Sequence, residues 1–396
     1  MKELPLKGVR VISFEQFGAA PYATMFLADL GAEVLKVELP EGDFARHTRP
    51  LTLGPDDSLY FQSMNLNKKS IHIDLKNRDD IAFFHELVGT SHAVVNNLRG
   101  TLPVQLGLDY SALQAVNPRI VCGHISAYGR DNSRADRPGY DFLMQAEAGL
   151  MHLTGEPGSS PTRIGVSMID YMTGMMLAFG LVSALRGAEK QGVGGDVDVS
   201  LFDAALHQLC YQGSWYLNEG LVTTKTPRSA HPSNTPVQLY KTQDGWIYIA
   251  AMTGKFWTLL IDALGCPEIA ADPRFDSPEA RLAHRDDLTA ALDGYFTKHP
   301  TAHWIEVFDG EVPAAPVYDL EQALNNPWLD EIGMINTIAH PARPEMRIFA
   351  NPLKLDGERV PQRAGPSLGQ DTAAIRAEVA AQAPNGARTV DDGPAV

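Results

Sequence analysis

The sequence predicts an α/β fold built on a mostly parallel sheet covered by helices on both faces, followed by a smaller α+β domain. Two observations carry that reading. Strand-like and helix-like segments alternate through residues 8–126, and the texture of the chain changes after residue 222.

The elements follow in order. A strand over 8–14 (GVRVISF), a turn at 18–21, a helix over 22–31 and a strand over 32–38 make a first β-α-β unit. Pro21 suits the first helical turn, where its missing N–H is not needed, and Gly31 suits the left-handed stop. A second unit has strand 70–75, helix 79–89, and strands 92–98 and 119–126. A long helix around and after Asp170 ends near the basic, Gly-rich turn 186–195, then strand 196–202 leads into helix 203–212. Residues 223–235 are polar and contain prolines, which marks a linker. Beyond it come strand 237–242, a hairpin signal at 243–245, strand 246–251 and helices to about residue 325. Strand character returns at 351–357, a last helix spans 372–382, and the tail 383–396 has the composition of disorder. The expected layout is therefore a large domain over 1–222, a small domain over 223–331, and a return to the large domain over 332–396.

Composition narrows the function. A chain of 396 residues, 44% hydrophobic and 20% charged, has the make-up of an ordinary globular protein. Its net charge of −15 disfavours nucleic acid or an anionic membrane as a partner. The N-terminus lacks the apolar stretch of a secretory signal, so a cytoplasmic location is expected. Cys122, Cys210 and Cys266 are far apart and form no CxxC pair; they read as buried small hydrophobes, with no metal site. The phosphate loop of ATP enzymes, the GxGxxG dinucleotide turn, HExxH and GxSxG are all missing. His72, His85, His92 and His124 lack metal-ligand spacing and read as structural.

Asp170 is the one charged residue in the stretch 164–185. A carboxylate in apolar surroundings must be paired, protonated or kept for chemistry. Met172, Met175, Met176 and Phe179 recur at helical spacing, so Asp170 reads equally well as a helix N-cap or as a desolvated nucleophile. The stretch is long enough for a bilayer, but Ser167, Asp170, Thr173 and three glycines argue against a membrane span. Lys68, Lys69, Lys76, Arg46, Arg49 and Arg99 read singly as surface charges. Their grouping near the expected carboxyl ends of strands suggests that some serve phosphates.

Several long segments resemble one family. They are RVISFEQFGAAPYATMFLADLGAEVLKVELPEGDFAR, SLYFQSMNLNKKSIHIDLK, NNLRGTLPVQLGLDYSALQAVNPRIV, DRPGYDFLMQAEAGLM, the Asp170 helix, DPRFDSPEARLAHRDDL, VPAAPVYDLEQAL and PSLGQDT. In this order they resemble the family III CoA-transferases (CaiB/BaiF family). The resemblance implies a Rossmann-like large domain made from both chain ends, an inserted smaller α+β domain and an interlocked homodimer. It implies that Asp170 attacks an acyl-CoA donor and carries CoA as an aspartyl thioester to a small carboxylic acid acceptor. Coenzyme A and acyl-CoA are then substrates, with no tightly bound cofactor. Gly18 and Ala19 match the first turn, Ile73 to Lys76 the adenine side, Asn97, Leu98 and Arg99 a CoA-lining segment, and Tyr140 and Asp141 a pair beside the thioester. Relatives carry glutamine at the place of Gly18 and basic residues at those of Leu39, Gln105 and Pro138, and their glycine-rich covering loop reads AAMTGKF here.

Succinyl-CoA and a small dicarboxylate are the pair the resemblance suggests, with Arg46 the candidate to read a second carboxylate. The α-methylacyl-CoA racemases share the implied fold but use a His in a GHD triplet. Here that triplet is Gly139, Tyr140, Asp141, and a tyrosine with an ordinary pKa of about 10 is a poor proton shuttle at neutral pH. A catalytically silent CoA-binding dimer is the third alternative.

Overall fold

The computed structural model describes residues 3–382, so the tail at 383–396 lies outside the described residues. The large unit is organised by six parallel strands: β1 (Arg10–Phe14), β2 (Glu33–Glu38), β3 (Lys69–His72), β4 (Ala93–Asn96), β5 (Val121–Ser126) and β6 (Gly195–Ser200). Their order across the sheet is β3-β2-β1-β4-β5-β6, with Arg10 opposite Glu33 and Val11 opposite Ala93. Ile12, Leu35, Ile71, Val94 and Cys122 are fully buried, as expected of a parallel sheet covered on both faces.

Four helices matter for the site: α1 (Ala19–Asp29), α2 (Arg78–Gly89), α3 (Asp141–Glu147) and α4 (Met168–Gln191). Phe83, Phe84, Leu87 and Val88 of α2 join the core on one face of the sheet. On the other, α4 lies against β5, where a methyl on Gly123 would come within 2.9 Å of Leu181. Helices α1 and α4 approach still more closely. A Cβ at Gly174 would sit 2.5 Å from the carbonyl oxygen of Ala19, and the Tyr22 and Tyr171 rings pack with centroids 4.8 Å apart. By length and composition α4 could cross a bilayer, yet its buried residues, among them Leu177 and Leu181, serve this packing.

The large unit takes in residues up to 148, 165–208 and from 328 onward. Its late segment closes on the β3 edge: the Asp371 N–H donates to the Ser70 carbonyl, the His72 N–H donates to Thr372 Oγ1, and Ile375 and Val379 of the last helix enter the core.

The smaller unit comprises 149–164 and 209–327. It has a three-stranded antiparallel sheet of Val237–Lys241, Trp246–Ala250 and Ala314–Pro316. Around it Tyr240, Trp257, Phe296, Trp304 and Phe308 form an aromatic core. The texture change put the boundary after residue 222, whereas contacts place 149–164 and 209–222 here. Lys225 Nζ donates to the Ser159 and Ser160 carbonyls, Glu156 accepts from the Arg228 amide, and Tyr211 stacks on His231. Such long-range ties leave no local signal. The hairpin of Ile335–His340 and Arg343–Phe349 was also unforeseen, because its connection lacks Gly or Asn and its strands bury few side chains. Cys210 is exposed, contrary to the expectation of burial.

The contact at Gly174 yields a paired prediction. Gly174→Ala should lower the urea midpoint, because its methyl meets backbone and overpacking costs about 1–3 kcal/mol. Gly187→Ala, in the same helix with open space at its α-carbon, should raise it by about 0.5–1 kcal/mol of helix propensity. Equal effects at the two glycines would show that close approach of α1 and α4 is not a stability determinant.

Candidate active site

In this sheet the strand order reverses between β1 and β4, and it is beyond the carboxyl ends at such a switch point that open α/β sheets bind ligands. The two loops there are tied together: Asn97 Oδ1 accepts from the Gln16 N–H at 3.0 Å, and its Nδ2 donates to the Gln16 carbonyl at 2.7 Å. Phe17 next adopts a left-handed φ of 58°, and its N–H donates to Asp43 Oδ1. Helix α1 then starts at Gly18 with no side-chain cap, and the Ala19 and Ala20 amides have no acceptor among the described residues. Unsatisfied first-turn amides attract negative charge.

A buried ion cluster holds this turn from below. Lys68 Nζ donates to Glu15 at 2.6 Å and to the Pro21 carbonyl at 2.9 Å, while Lys36 Nζ donates to Asp43 at 2.8 Å and to the Glu15 carbonyl at 2.9 Å. The cluster pairs two cations with two anions, which is what allows it to be dry. Burial pushes the Lys68 ammonium down to about 8, against the pull of Glu15. Lys68 is therefore no surface charge. Nor is Arg46: it is fully buried, donates to both Glu38 oxygens at 2.8 and 2.7 Å, and lies 3.7 Å over the Phe61 ring. It is spent on the fold and cannot read a substrate carboxylate.

Asp170 stands in the first turn of α4. Its N-cap is Ser167, which makes no side-chain cap bond, so Asp170 is the third helical residue and the N-cap expectation is corrected. The capping is done by another carboxylate. Asp141 Oδ2 accepts from the Ile169 N–H at 2.6 Å and the Asp170 N–H at 3.0 Å, and its Oδ1 accepts from Gln145 Nε2 at 2.6 Å. Asp170 is thereby held by its backbone while its side chain stays uncommitted: no donor among the described residues reaches its carboxylate. A methyl on Gly18 would lie 2.8 Å from Asp170 Oδ2, so the α1 turn touches the carboxylate at its only glycine.

Burial first, and the like charge of Asp141 second, push the Asp170 carboxyl up to about 7. The N-termini of α1 and α4 oppose that rise, each by about 0.3–2 kcal/mol. Tyr60 and Tyr171 share the neighbourhood. Burial raises both, Tyr60 to about 12 with help from Tyr171, Asp170 and Asp43, so the phenols stay protonated as donors. No lysine or arginine among the described residues acts on Asp170.

The other expected site residues divide. Gly18 and Ala19 form the turn against Asp170, and Asn97 and Leu98 lie in the facing loop, with the Leu98 N–H 3.4 Å from Asn96 Oδ1. Arg99 and, after β3, Lys76 are exposed and have no ion-pair partner among the described residues. Ile73 is 2% exposed and packed in the core, so its side chain is not open to a ligand. Tyr140 is 66% exposed at the start of α3. Sequence reasoning missed Tyr60, Phe17 and Phe44, and the capping task of Asp141, which lies too far along the chain from Ile169 for a local motif to reveal. The described residues contain no cluster of three metal-ligating side chains.

Residues 6–372 match the model of CoA-transferase family III. The chain belongs to this family. It is 34% identical to the acetyl-CoA:oxalate CoA-transferase of Acetobacter aceti over 95% of this chain and 96% of that one. It is 31% identical to the human succinyl-CoA:glutarate CoA-transferase over 95% of this chain and 86% of the relative. A crystal structure of a CaiB/BaiF family protein from Brucella suis superposes with a TM-score of 0.83 at 32% identity, covering 96% of this chain and 100% of that one. The mixed α/β fold with a parallel central sheet is thus shared with that CaiB/BaiF family protein.

Two predictions follow from the electrostatics of this CoA-transferase. Because the folded-state carboxyl of Asp170 titrates near 7, above its unfolded value, ionising it costs the fold stability as pH rises from about 4 to 7. Asp170→Asn should therefore be more stable than the parent at pH 8, by about 1–3 kcal/mol, and equal to it at pH 4, as read by thermal melts at the two pH values. Asp141→Asn should remove the like charge and lower the pH at which Asp170 ionises, whereas Asp141→Ala should also lose the cap, at about 0.5–2 kcal/mol. A pH titration of Asp170 reactivity in both variants checks this, and an unchanged midpoint in Asp141→Asn would refute the coupling.

Proposed function

We propose that this family III CoA-transferase moves CoA from an acyl-CoA donor to a carboxylic acid through a thioester on Asp170. The observation that carries the reading is a desolvated carboxylate without a hydrogen-bond donor, set at the switch point of the sheet against the unsatisfied amides of α1. An Asp170 oxygen attacks the acyl carbonyl; the C–S bond breaks and CoA thiolate leaves a mixed anhydride. The thiolate then attacks Asp170 Cγ, releasing the donor acid and forming the aspartyl thioester. The acceptor carboxylate attacks that Cγ, the thiolate leaves again, and its attack on the acceptor acyl carbon frees Asp170. One thioester is exchanged for another, with no water or net proton consumed. The chemistry needs no ATP, in keeping with the missing phosphate loop.

Each group has a place in this scheme. The Ala19 and Ala20 amides stand where negative charge develops on a tetrahedral oxygen, and donors of that kind are worth about 10²–10³ in rate. Gly18 lets the reacting carbon approach, and Asp141 fixes the turn that carries Asp170. Asn97, Leu98 and Arg99, with Lys76 beyond β3, would line CoA and meet its phosphates, as Tyr140 would meet the thioester end. Asp141 is already committed to three hydrogen bonds and Tyr140 is no neutral-pH base, which weighs against a racemase. The names of several relatives make succinyl-CoA the first donor to assay.

The interlocked homodimer is part of the proposal. Helix α4 is apolar, yet its Phe179 is 77% exposed, and a large apolar side chain left open on such a helix suits an interface. Light scattering should give twice the chain mass, and Phe179→Glu should shift it toward the monomer.

The decisive chemical test is trapping. Incubation with acyl-CoA donors followed by hydroxylamine should modify the peptide bearing Asp170, at a rate that rises with pH about a midpoint near 7. Asp170→Ala should abolish both labelling and transfer while retaining CoA binding. Labelling of any other residue, or of none with every donor, would sink the proposal.

A further inference from the structure

We propose that His124 is a positioning residue for coenzyme A: by fixing the side-chain amide of Asn96, it sets the loop at 97–99 against which CoA binds. This deepens the proposed function and rests on its reading of that loop as a CoA-lining segment, whatever the reaction at Asp170.

Strand register brings the residues together. Asn96, the last residue of β4, lies opposite His124 of β5, and Cys122 lies opposite Asp196 of β6. Side chains alternate along a strand, so His124 shares the α2 face of the sheet with Cys122, while Gly123 between them meets α4. Asn96 and His124 are both fully buried.

Their hydrogen bonds run in one line. The Leu98 N–H donates to Asn96 Oδ1 at 3.4 Å, Asn96 Nδ2 donates to His124 Nδ1 at 2.8 Å, and His124 Nε2 donates to Asp196 Oδ1 at 3.0 Å. Each direction follows from the one before. An amide oxygen that serves Leu98 leaves the amide nitrogen for His124, so Nδ1 accepts and the ring proton sits on Nε2. Asp196 is held in turn: it accepts from the Tyr110 N–H at 2.9 Å and lies 3.7 Å from Arg130, which donates to Asp198 at 2.9 Å.

A buried histidine with both nitrogens committed can simply satisfy a polar core. Two features give this one a further task. Among the described residues the Leu98 N–H has no other acceptor, and the adjoining Asn97 is fixed to Gln16 by both atoms of its amide. The loop is thereby clamped by the α1 turn on one side and by the His124 line on the other. Both ends of that line also border one surface cavity of about 630 Å³, lined by Thr101 beyond the loop and by Arg130. A loop ordered before its ligand arrives loses less freedom on binding, which raises affinity without touching the chemistry.

Two substitutions separate the halves of the line. An asparagine amide oxygen stands as many bonds from the backbone as Nδ1, and a glutamine amide nitrogen as many as Nε2. His124→Asn therefore keeps an acceptor for Asn96, and His124→Gln keeps a donor for Asp196. The readouts are the dissociation constant of free CoA by calorimetry, the rate of hydroxylamine labelling at Asp170 under saturating succinyl-CoA, and the melting temperature. His124→Gln should weaken CoA binding by about fivefold, the scale of one hydrogen bond, with the labelling rate within about twofold of the parent. His124→Asn should bind CoA within about twofold of the parent. Asn96→Ala should lose as much CoA affinity as His124→Gln, and the double variant no more. Unchanged CoA affinity in His124→Gln, with only the melting temperature lowered, would make His124 a core residue and overturn the inference. Equal losses in His124→Gln and His124→Asn would overturn the route through Asn96. A parent that binds no CoA would overturn the reading of the loop on which the inference rests. A parent that binds CoA but never labels at Asp170 would strike the nucleophile alone, and the CoA affinities would still decide the role of His124.

Discussion

The structure turns on one carboxylate kept without a partner. Among the described residues no donor reaches the Asp170 carboxylate, and the charge that acts on it is that of another aspartate, Asp141. Such a group survives only where backbone, packing and solvation on every side are already settled. Asp141 supplies the cap that Asp170 does not make, Gly18 supplies room, and Gly174 lets α1 and α4 close on each other so that their N-terminal ends meet near the same point. Replace either glycine by a residue with a side chain, and the carboxylate or the helix that carries it must move.

The same economy governs the basic residues. The chain carries a net charge of −15, so cations near the crevice are scarce, and several are locked inside. The Glu15–Lys68 and Lys36–Asp43 pairs sit beneath the α1 turn, and Arg46 is fastened to Glu38 and Phe61. Their work is to hold the turn at Gln16–Gly18 in a conformation that includes a left-handed phenylalanine. Buried ion pairs add little net stability once desolvation is counted. What they contribute here is a single geometry for the turn that faces Asp170.

Much of this was legible in the sequence. Strand-like runs separated by helical periodicity marked all six parallel strands, and the lone charge in 164–185 marked Asp170, because each signal is local. The last helix was placed at 372–382, where it stands. What escaped depends on contacts between distant segments. Lys68 and Arg46 looked like surface charges because Glu15 and Glu38 are partners set by the fold. Asp170 looked like a cap because Asp is a good cap, and only the fold shows that Asp141 has taken that position. The segment 149–164 gave no sign of joining the smaller unit, since its ties run to Lys225 and Arg228. The hairpin at 335–349 has polar, exposed strands and no turn residue to announce it.

If an unpartnered, desolvated carboxylate is what the fold is built to hold, its ionisation must show it. The direct measurement is a carbon-13 NMR titration of the side-chain carboxyls in aspartate-labelled protein, with the Asp170 resonance assigned by its loss in Asp170→Asn. The account predicts a midpoint near 7 for that resonance, falling in Asp141→Asn. A midpoint in the ordinary carboxylate range near 4 would show that Asp170 is solvated or paired, and would contradict the account at its centre.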